Sequence, residues 1–282
     1  MRATWSDLSP SLLAARNAGV LLAAPDSTWI DSKRADFIIL SNSNKKVKLG
    51  GIEHLGLRAG EIFAYGKPAI VSCACAGKCH IYCYASKIDK QYANSLKIHG
   101  HNYALVYAAS REAVARYMQN GLNMVKKAKL VRLNDDGDFI SFEELAGIYQ
   151  TAKNNPGIIF YGYTKMTVYL YRLLKENHGK LVDNFRVSVS ITDNEISSQF
   201  LAKIERDYPN TIHTCEIIDT PQRLQETSNL PWNNQEFEAI HNTRNFKIAI
   251  HGVNGQFSSK SPEGQVIKAT KAEEHNTGIR TC

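Results

Sequence analysis

The sequence predicts an α/β protein: a partial or open (β/α) barrel of about six mostly parallel strands behind an N-terminal cap. Three observations carry this. From residue 68 on, short apolar and β-branched runs alternate with amphipathic stretches of helix length, the pattern of parallel strands joined by crossover helices. Polar residues collect just past the ends of successive runs, where barrels carry their sites. The composition, 43% hydrophobic and 22% charged over 282 residues, suffices for a sizeable core and excludes disorder for most of the chain. A flat doubly wound sheet, which gathers its ligand at one switch point, is the alternative.

Residues 1–67 read as the cap. It holds an amphipathic helix over 12–24 ended by Pro25, strand-like pieces at 36–40 and 46–49, and turn signals at Ser41-Asn42-Ser43-Asn44 and Gly50-Gly51. The barrel domain spans 68–257 and a polar tail 258–282. Its first strand is Ala69-Ile70-Val71, which delivers the chain into a cysteine cluster. A helix from Ser110 shows Val114, Tyr117, Met118, Leu122 and Val125 on one face. The strand 130–133 runs into Asn134-Asp135-Asp136-Gly137-Asp138. Ser141-Phe142-Glu143-Glu144 is a capping box, opening a helix that turns Leu145, Ile148, Tyr149 and Ala152 inward and stops at Asn155-Pro156-Gly157. Strand 158–163, helix 167–177, strand 185–191, helix 195–207 and strands 211–218 and 246–250 complete the repeat, which ends in His251-Gly252-Val253-Asn254-Gly255.

Function classes narrow quickly. The stretch 12–24 is broken by Arg16 and Asn17, falls short of the roughly 20 apolar residues of a spanning helix, and has Asp7 rather than a basic region before it. The expectation is a cytoplasmic protein without a membrane role. Lys and Arg number 34 against 27 Asp and Glu, a net charge of +7, but the basic residues are scattered, so nucleic acid is allowed as a partner and not demanded. No Gly-x4-Gly-Lys phosphate loop and no Gly-x-Ser-x-Gly elbow occurs.

Cys73, Cys75, Cys79 and Cys83 fall within eleven consecutive positions, while Cys215 and Cys282 stand apart. In a chain this long a cluster of that density reads as a metal site rather than a disulfide framework. The spacing is Cys-x3-Cys-x3-Cys from Cys75, or Cys-x5-Cys-x3-Cys from Cys73. Three thiolates would hold one face of a [4Fe–4S] cluster and leave an iron open; four would close the site. Zinc, held by four cysteines or by three with His80, is the alternative metal, although paired Cys-x2-Cys units are missing.

A strand ending in clustered cysteines, an aromatic before the last one (Tyr82-Cys83) and a β/α repeat behind them resemble the radical S-adenosylmethionine enzymes. The resemblance implies a [4Fe–4S] cluster, S-adenosylmethionine as cofactor, an electron donor, and a 5′-deoxyadenosyl radical acting on a substrate it does not name, for which the basic residues allow an anionic one. It places the cofactor's amino group at the turn Asp135, Asp136, Gly137 and Asp138, its adenine near Gly252, and its ribose or carboxylate near the strand end Ser190, Thr192 and Asp193. Arg132 and Asp138 would hold the carboxylate and amine of an amino-acid moiety, and Lys165 would grip an anionic substrate. The family's usual spacing is Cys-x3-Cys-x2-Cys, one residue shorter in its last gap.

Four further pieces resemble the phage "gene product eighty-eight" family: Ser41-Asn42-Ser43-Asn44-Lys45, the run from Cys79 to Ala85, the run from Val131 to Phe139, and the run from Tyr161 to Lys165. That similarity implies a phage-encoded intracellular protein and no particular reaction. The residues leave plainer readings open: Arg132 and Asp138 as a buried ion pair, Thr192-Asp193-Asn194 as a helix cap, Cys215 as a small core residue, and a closed four-cysteine site serving a structural, electron-transfer or nucleic-acid-binding role.

Overall fold

Side chains along these strands sort into two sets by the two-residue period of extended chain, and each set buries a different layer. The structure is a computed structural model and describes residues 25, 29–77, 79, 83, 85, 93–218, 220–233 and 236–249. One sheet of seven strands runs in the order of the sequence: β1 (Ser41–Asn42), β2 (Ile62–Ala64), β3 (Leu130–Leu133), β4 (Ile159–Thr164), β5 (Phe185–Ser190), β6 (Thr214–Ile218) and β7 (Phe246–Ala249). β1 is antiparallel to β2, and β2 to β7 are all parallel. Sequential order without a reversal point is the winding of an open barrel, and the doubly wound alternative is thereby set aside.

Val131, Leu133, Phe160 and Val187 bury one face against the connecting helices: α2 (Ala93–Val106), α3 (Arg111–Val125), α4 (Phe142–Asn154) and α5 (Thr167–Glu176). α6 (Glu195–Asp207) extends this layer through Ile204 against Leu170, Leu174 and Val189. The opposite, inner face carries Ile62, Leu130, Tyr161, Cys215 and Phe246. It is covered by α1 (Lys45–Leu55), through Val47, and by α8 (Phe237–His241), through Ala239 and Ile240. A short α7 (Pro221–Glu226) lies between β6 and α8.

The later units match their sequence signals. Ser110 and Ser141 cap α3 and α4, and the bounds of α6 coincide with the expected helix. The early segment does not match. Residues 46–49 belong to helix α1, capped by Asn44 and ended by Gly56 in the left-handed region, so the Gly50-Gly51 pair is no turn. A Cβ on Gly51 would stand 2.6 Å from Ile62 Cδ1 and 3.0 Å from Leu130 Cδ2; the missing side chain lets α1 lie directly on the sheet. Residues 36–40 form no strand; Asn102 instead accepts from Ile39 N at 2.8 Å and donates to Ile39 O at 3.0 Å.

The expected first strand is also corrected. Ala69-Ile70-Val71 is turn, with Ile70 at φ 68, and the first parallel strand is Ile62–Ala64. Its ladder continues past its last residue, with Tyr65 N donating to Arg132 O, Asp135 N to Tyr65 O and Lys67 N to Asp136 O. Pro68, lacking an N–H, ends the run. The count of about six parallel strands holds with this different first member. The helix expected over 12–24, Tyr82, Gly252 and the tail lie outside the described residues.

Candidate functional site at the strand ends

The extended end of β2 starts the cysteine loop on a rigid footing. Lys67 and Glu144 form an ion pair at 2.6 Å with neither side chain exposed, although Glu144 was expected to close the capping box of α4. Ser141 supplies its half of that cap, accepting from Glu144 N at 3.0 Å. The Glu144 carboxylate turns instead to Lys67, Tyr65 OH at 2.7 Å and Ile140 N at 2.7 Å. Lys67 completes its shell on Asn134 Oδ1 at 3.1 Å. Unpaired charges cannot be buried cheaply, so this network fixes the strand end against α4.

From Pro68 the loop folds through local hydrogen bonds: Ser72 N and Oγ donate to Pro68 O, Cys73 N to Ile70 O, Ala76 N to Cys73 O, and Cys79 N to Ala76 O. It crosses the ends of the neighbouring strands. Ser72 and Lys67 crowd Gly137 of the acidic turn after β3, and Gly77 meets Thr192 and Asp193 after β5. Cysteine loop, acidic turn and β5 end, which the sequence nominates separately, are thus brought to one place.

The four clustered cysteines divide. Cys75 belongs to the hydrophobic core with Ala74, and burial, with Asp138 adding and Lys165 opposing, pushes its thiol up to about 11. Cys73, Cys79 and Cys83 are half-buried and lie in the electrostatic neighbourhood of Lys165. Burial, then Asp138 and Cys83, push the Cys73 thiol far up, and Lys165 opposes them. Burial of Lys165 favours its neutral form, but Cys79, Asp138, Cys73 and Cys83 outweigh this and raise its pKa, keeping it an ammonium. Among the described residues no three His, Cys, Asp or Glu side chains meet as a ready metal-ligand group. The donor set is nonetheless of the right chemistry: three soft thiols suit an iron–sulfur cluster or zinc, and a cation beside them offsets thiolate charge.

Asp138 is committed within the fold. Its Oδ1 accepts from Thr164 Oγ1 at 2.7 Å and Phe139 N at 2.8 Å, and its Oδ2 from Lys165 N at 2.7 Å. It therefore ties the acidic turn to the end of β4 and sets the position of Lys165. Asp136 stands 3.5 Å from His99 Nδ1, and Asp135 accepts from Asn44 Nδ2 at 3.1 Å. Burial raises the Asp135 pKa against the pull of Arg132 and His99.

Arg132 does not pair with Asp138. Strand alternation sends it to the inner face, beside its β4 neighbour Tyr161, where it pairs with Glu236. Lys46 reaches the same carboxylate at 2.8 Å and Tyr163 OH at 3.3 Å, and the guanidinium lies 4.3 Å from the Tyr163 ring centre. Arg132 and Lys46 hold the Glu236 carboxyl below its ordinary range in spite of burial. Ser190 and Thr192 line a shallow recess with Ser197, Ser198 and Leu201. In the run Thr192-Asp193-Asn194 the cap is Asn194, which accepts from Ser197 N at 3.0 Å and leaves Asp193 to face the loop. Sequence reasoning missed Glu236, His99 and Lys67 as partners of the site, none of which carries a local signal; Asp193 it placed at a strand end, without its contact to the cysteine loop.

An open, singly wound α/β sheet with a cysteine loop laid across its strand ends is the class of protein these features define. The chain belongs to the Gene product 88 family, whose model matches residues 37–269. It is 26% identical over 157 residues to "Gene 88 protein" of Mycobacterium phage L5, a stretch covering 49% of this chain and 65% of that protein. No solved structure matches it. Among the described residues no helix is long and apolar enough to cross a membrane.

Proposed function

We propose that this phage protein is an iron–sulfur protein of the radical S-adenosylmethionine type, in which Cys73, Cys79 and Cys83 hold a [4Fe–4S] cluster and Cys75 does not. One observation carries the reading. All four clustered thiols gather around Lys165 at the ends of parallel strands, and three of them, Cys73, Cys79 and Cys83, are half-buried while Cys75 packs in the core. Three ligands leave one iron open, and a cluster of that kind supplies an electron that splits the cofactor's sulfonium.

The chain's own residues supply orientation and charge. Lys165 stays protonated among the thiols and offsets part of their charge once they bind metal. Asp138 fixes the Lys165 backbone and so the place of that cation. Asp135, half-buried and bonded to Asn44, is the carboxylate suited to receive an ammonium group, since both oxygens of Asp138 are engaged. Arg132 is neutralised by Glu236, so of these two strand-end cations Lys165 is the one suited to an anionic substrate.

The test is anaerobic reconstitution with iron and sulfide, followed by electron paramagnetic resonance of the reduced protein with and without S-adenosylmethionine. The reading predicts a cluster signal that changes on adding the cofactor. A signal indifferent to the cofactor would reduce the protein to a closed-site or electron-transfer role, and zinc in place of iron would overturn the reading altogether.

A further inference from the structure

We propose that Thr192 and Asp193, in the turn between β5 and α6, form a clamp that positions the cysteine loop, with Gly77 as the point they grip. The proposal takes from the preceding reading only that Cys73, Cys79 and Cys83 are the working groups, and its test does not require metal.

Gly77 follows the turn that closes from Cys73 to Ala76 and lies inside the next one, which closes from Ala76 to Cys79. Its φ of 52 lies in the left-handed region, which glycine enters without the Cβ penalty. Gly77 is also gripped from outside. A Cβ at Gly77 would overlap Asp193 Oδ1 and stand 2.5 Å from Thr192 Oγ1, so the loop backbone is pressed against these two side chains. Conformation and contact thus demand glycine independently.

The turn that grips it is itself held. Asn194 caps α6 by accepting from Ser197 N, so Asp193 is not consumed by capping. Thr192 Oγ1 lies 3.5 Å from Asp193 Oδ1, and Ser198 Oγ donates to Thr192 O at 3.4 Å. At its other end the loop is anchored by Lys67 and Ser72. Cys73 lies near that first anchor, while Cys79 and Cys83 lie beyond the clamp. The spacing between the first thiol and the last two is therefore set by a contact that spans from the end of β2 to the end of β5.

The experiment is site-resolved alkylation of the metal-free full-length protein with iodoacetamide, read by peptide mass spectrometry, with Cys215 as internal control. Cys215 is fully buried on the inner face and reports global opening. Gly77→Ala and Asp193→Ala should each speed labelling of Cys79 and Cys83 by about 10-fold or more, with Cys215 still protected. Asp193→Asn, which keeps an acceptor oxygen, should restore the wild-type rate. If Gly77→Ala opens the whole protein, Cys215 will label as well, and Asp193→Ala, at an exposed turn position, then decides alone. Labelling of Cys79 and Cys83 within twofold of wild type in Asp193→Ala overturns the clamp. Iron content after reconstitution is read separately: wild-type protein that takes up no iron defeats the proposed function and leaves the clamp result standing.

Discussion

Two lysines stand at the ends of strands in this sheet, and their surroundings differ in kind. Lys67, beyond β2, meets one carboxylate and one amide oxygen; the carboxylate also accepts from Tyr65 OH and Ile140 N, and the amide nitrogen of Asn134 donates to Asp138 Oδ1 and Tyr163 O. Lys165, beyond β4, lies among the clustered thiols beside a carboxylate whose hydrogen bonds go to its neighbours. The first arrangement is electrically complete as it stands. The second gathers ionisable sulfur around a cation, and sulfur carries its charge when it is deprotonated or metal-bound. A closed network specifies a structure, whereas a cation amid thiols is suited to a charge that arrives with a ligand.

The largest expected effect breaks the closed network. Lys67→Met leaves the Glu144 carboxylate buried beside Tyr65 OH and Ile140 N without its cation, and should cost about 3–5 kcal/mol in urea denaturation. Lys67→Met combined with Glu144→Gln should recover part of this loss. If the single variant costs less than about 1 kcal/mol, the network does not anchor the loop.

The inner-face pair is next, at about 3 kcal/mol for Glu236→Gln, which strands the Arg132 guanidinium. It also has a pH signature. The Glu236 pKa is lowered in the folded protein, so the stability it contributes is present above the ordinary glutamate range and lost as pH falls through the lower folded value. Melting temperature followed from about pH 6 down to about pH 3 should fall more steeply for wild type than for Glu236→Gln. Parallel curves would show that the pair is not the acid-sensitive element.

Asp138→Asn sharpens the comparison at Lys165. Asparagine offers an NH2 where Lys165 N now donates, so a loss of about 1.5–3 kcal/mol is expected. The thermal transition should drop while the Lys67 network survives. A variant that weakens S-adenosylmethionine binding with no loss of stability would instead return Asp138 to the ammonium-binding role its place in the sequence suggests.

What was legible in the sequence follows from how local each signal is. Helices α3, α4 and α6 announce themselves by capping residues and one apolar face, and the strands from β3 onward by runs between them. Helix α1 was misread because Gly50-Gly51 looks like a turn, when its physical reason is the contact of Gly51 with Ile62 and Leu130. The cysteine loop was visible as a cluster, but the division that sends Cys75 to the core depends on how the loop folds from Ile70 onward. Glu236 had no signal at all: it reaches Arg132 across 104 positions, from a left-handed backbone at φ 65 that no glycine marks.

The central claim is that three cysteines, Cys73, Cys79 and Cys83, form the working site and that Cys75 is a core residue. Iron and acid-labile sulfide content after anaerobic reconstitution tests it directly when Cys73→Ala is compared with Cys75→Ala. The account predicts that Cys73→Ala loses the cluster, while Cys75→Ala keeps wild-type iron content and loses only packing stability, about 1 kcal/mol. Equal loss of iron in both variants, or loss in Cys75→Ala alone, would contradict it.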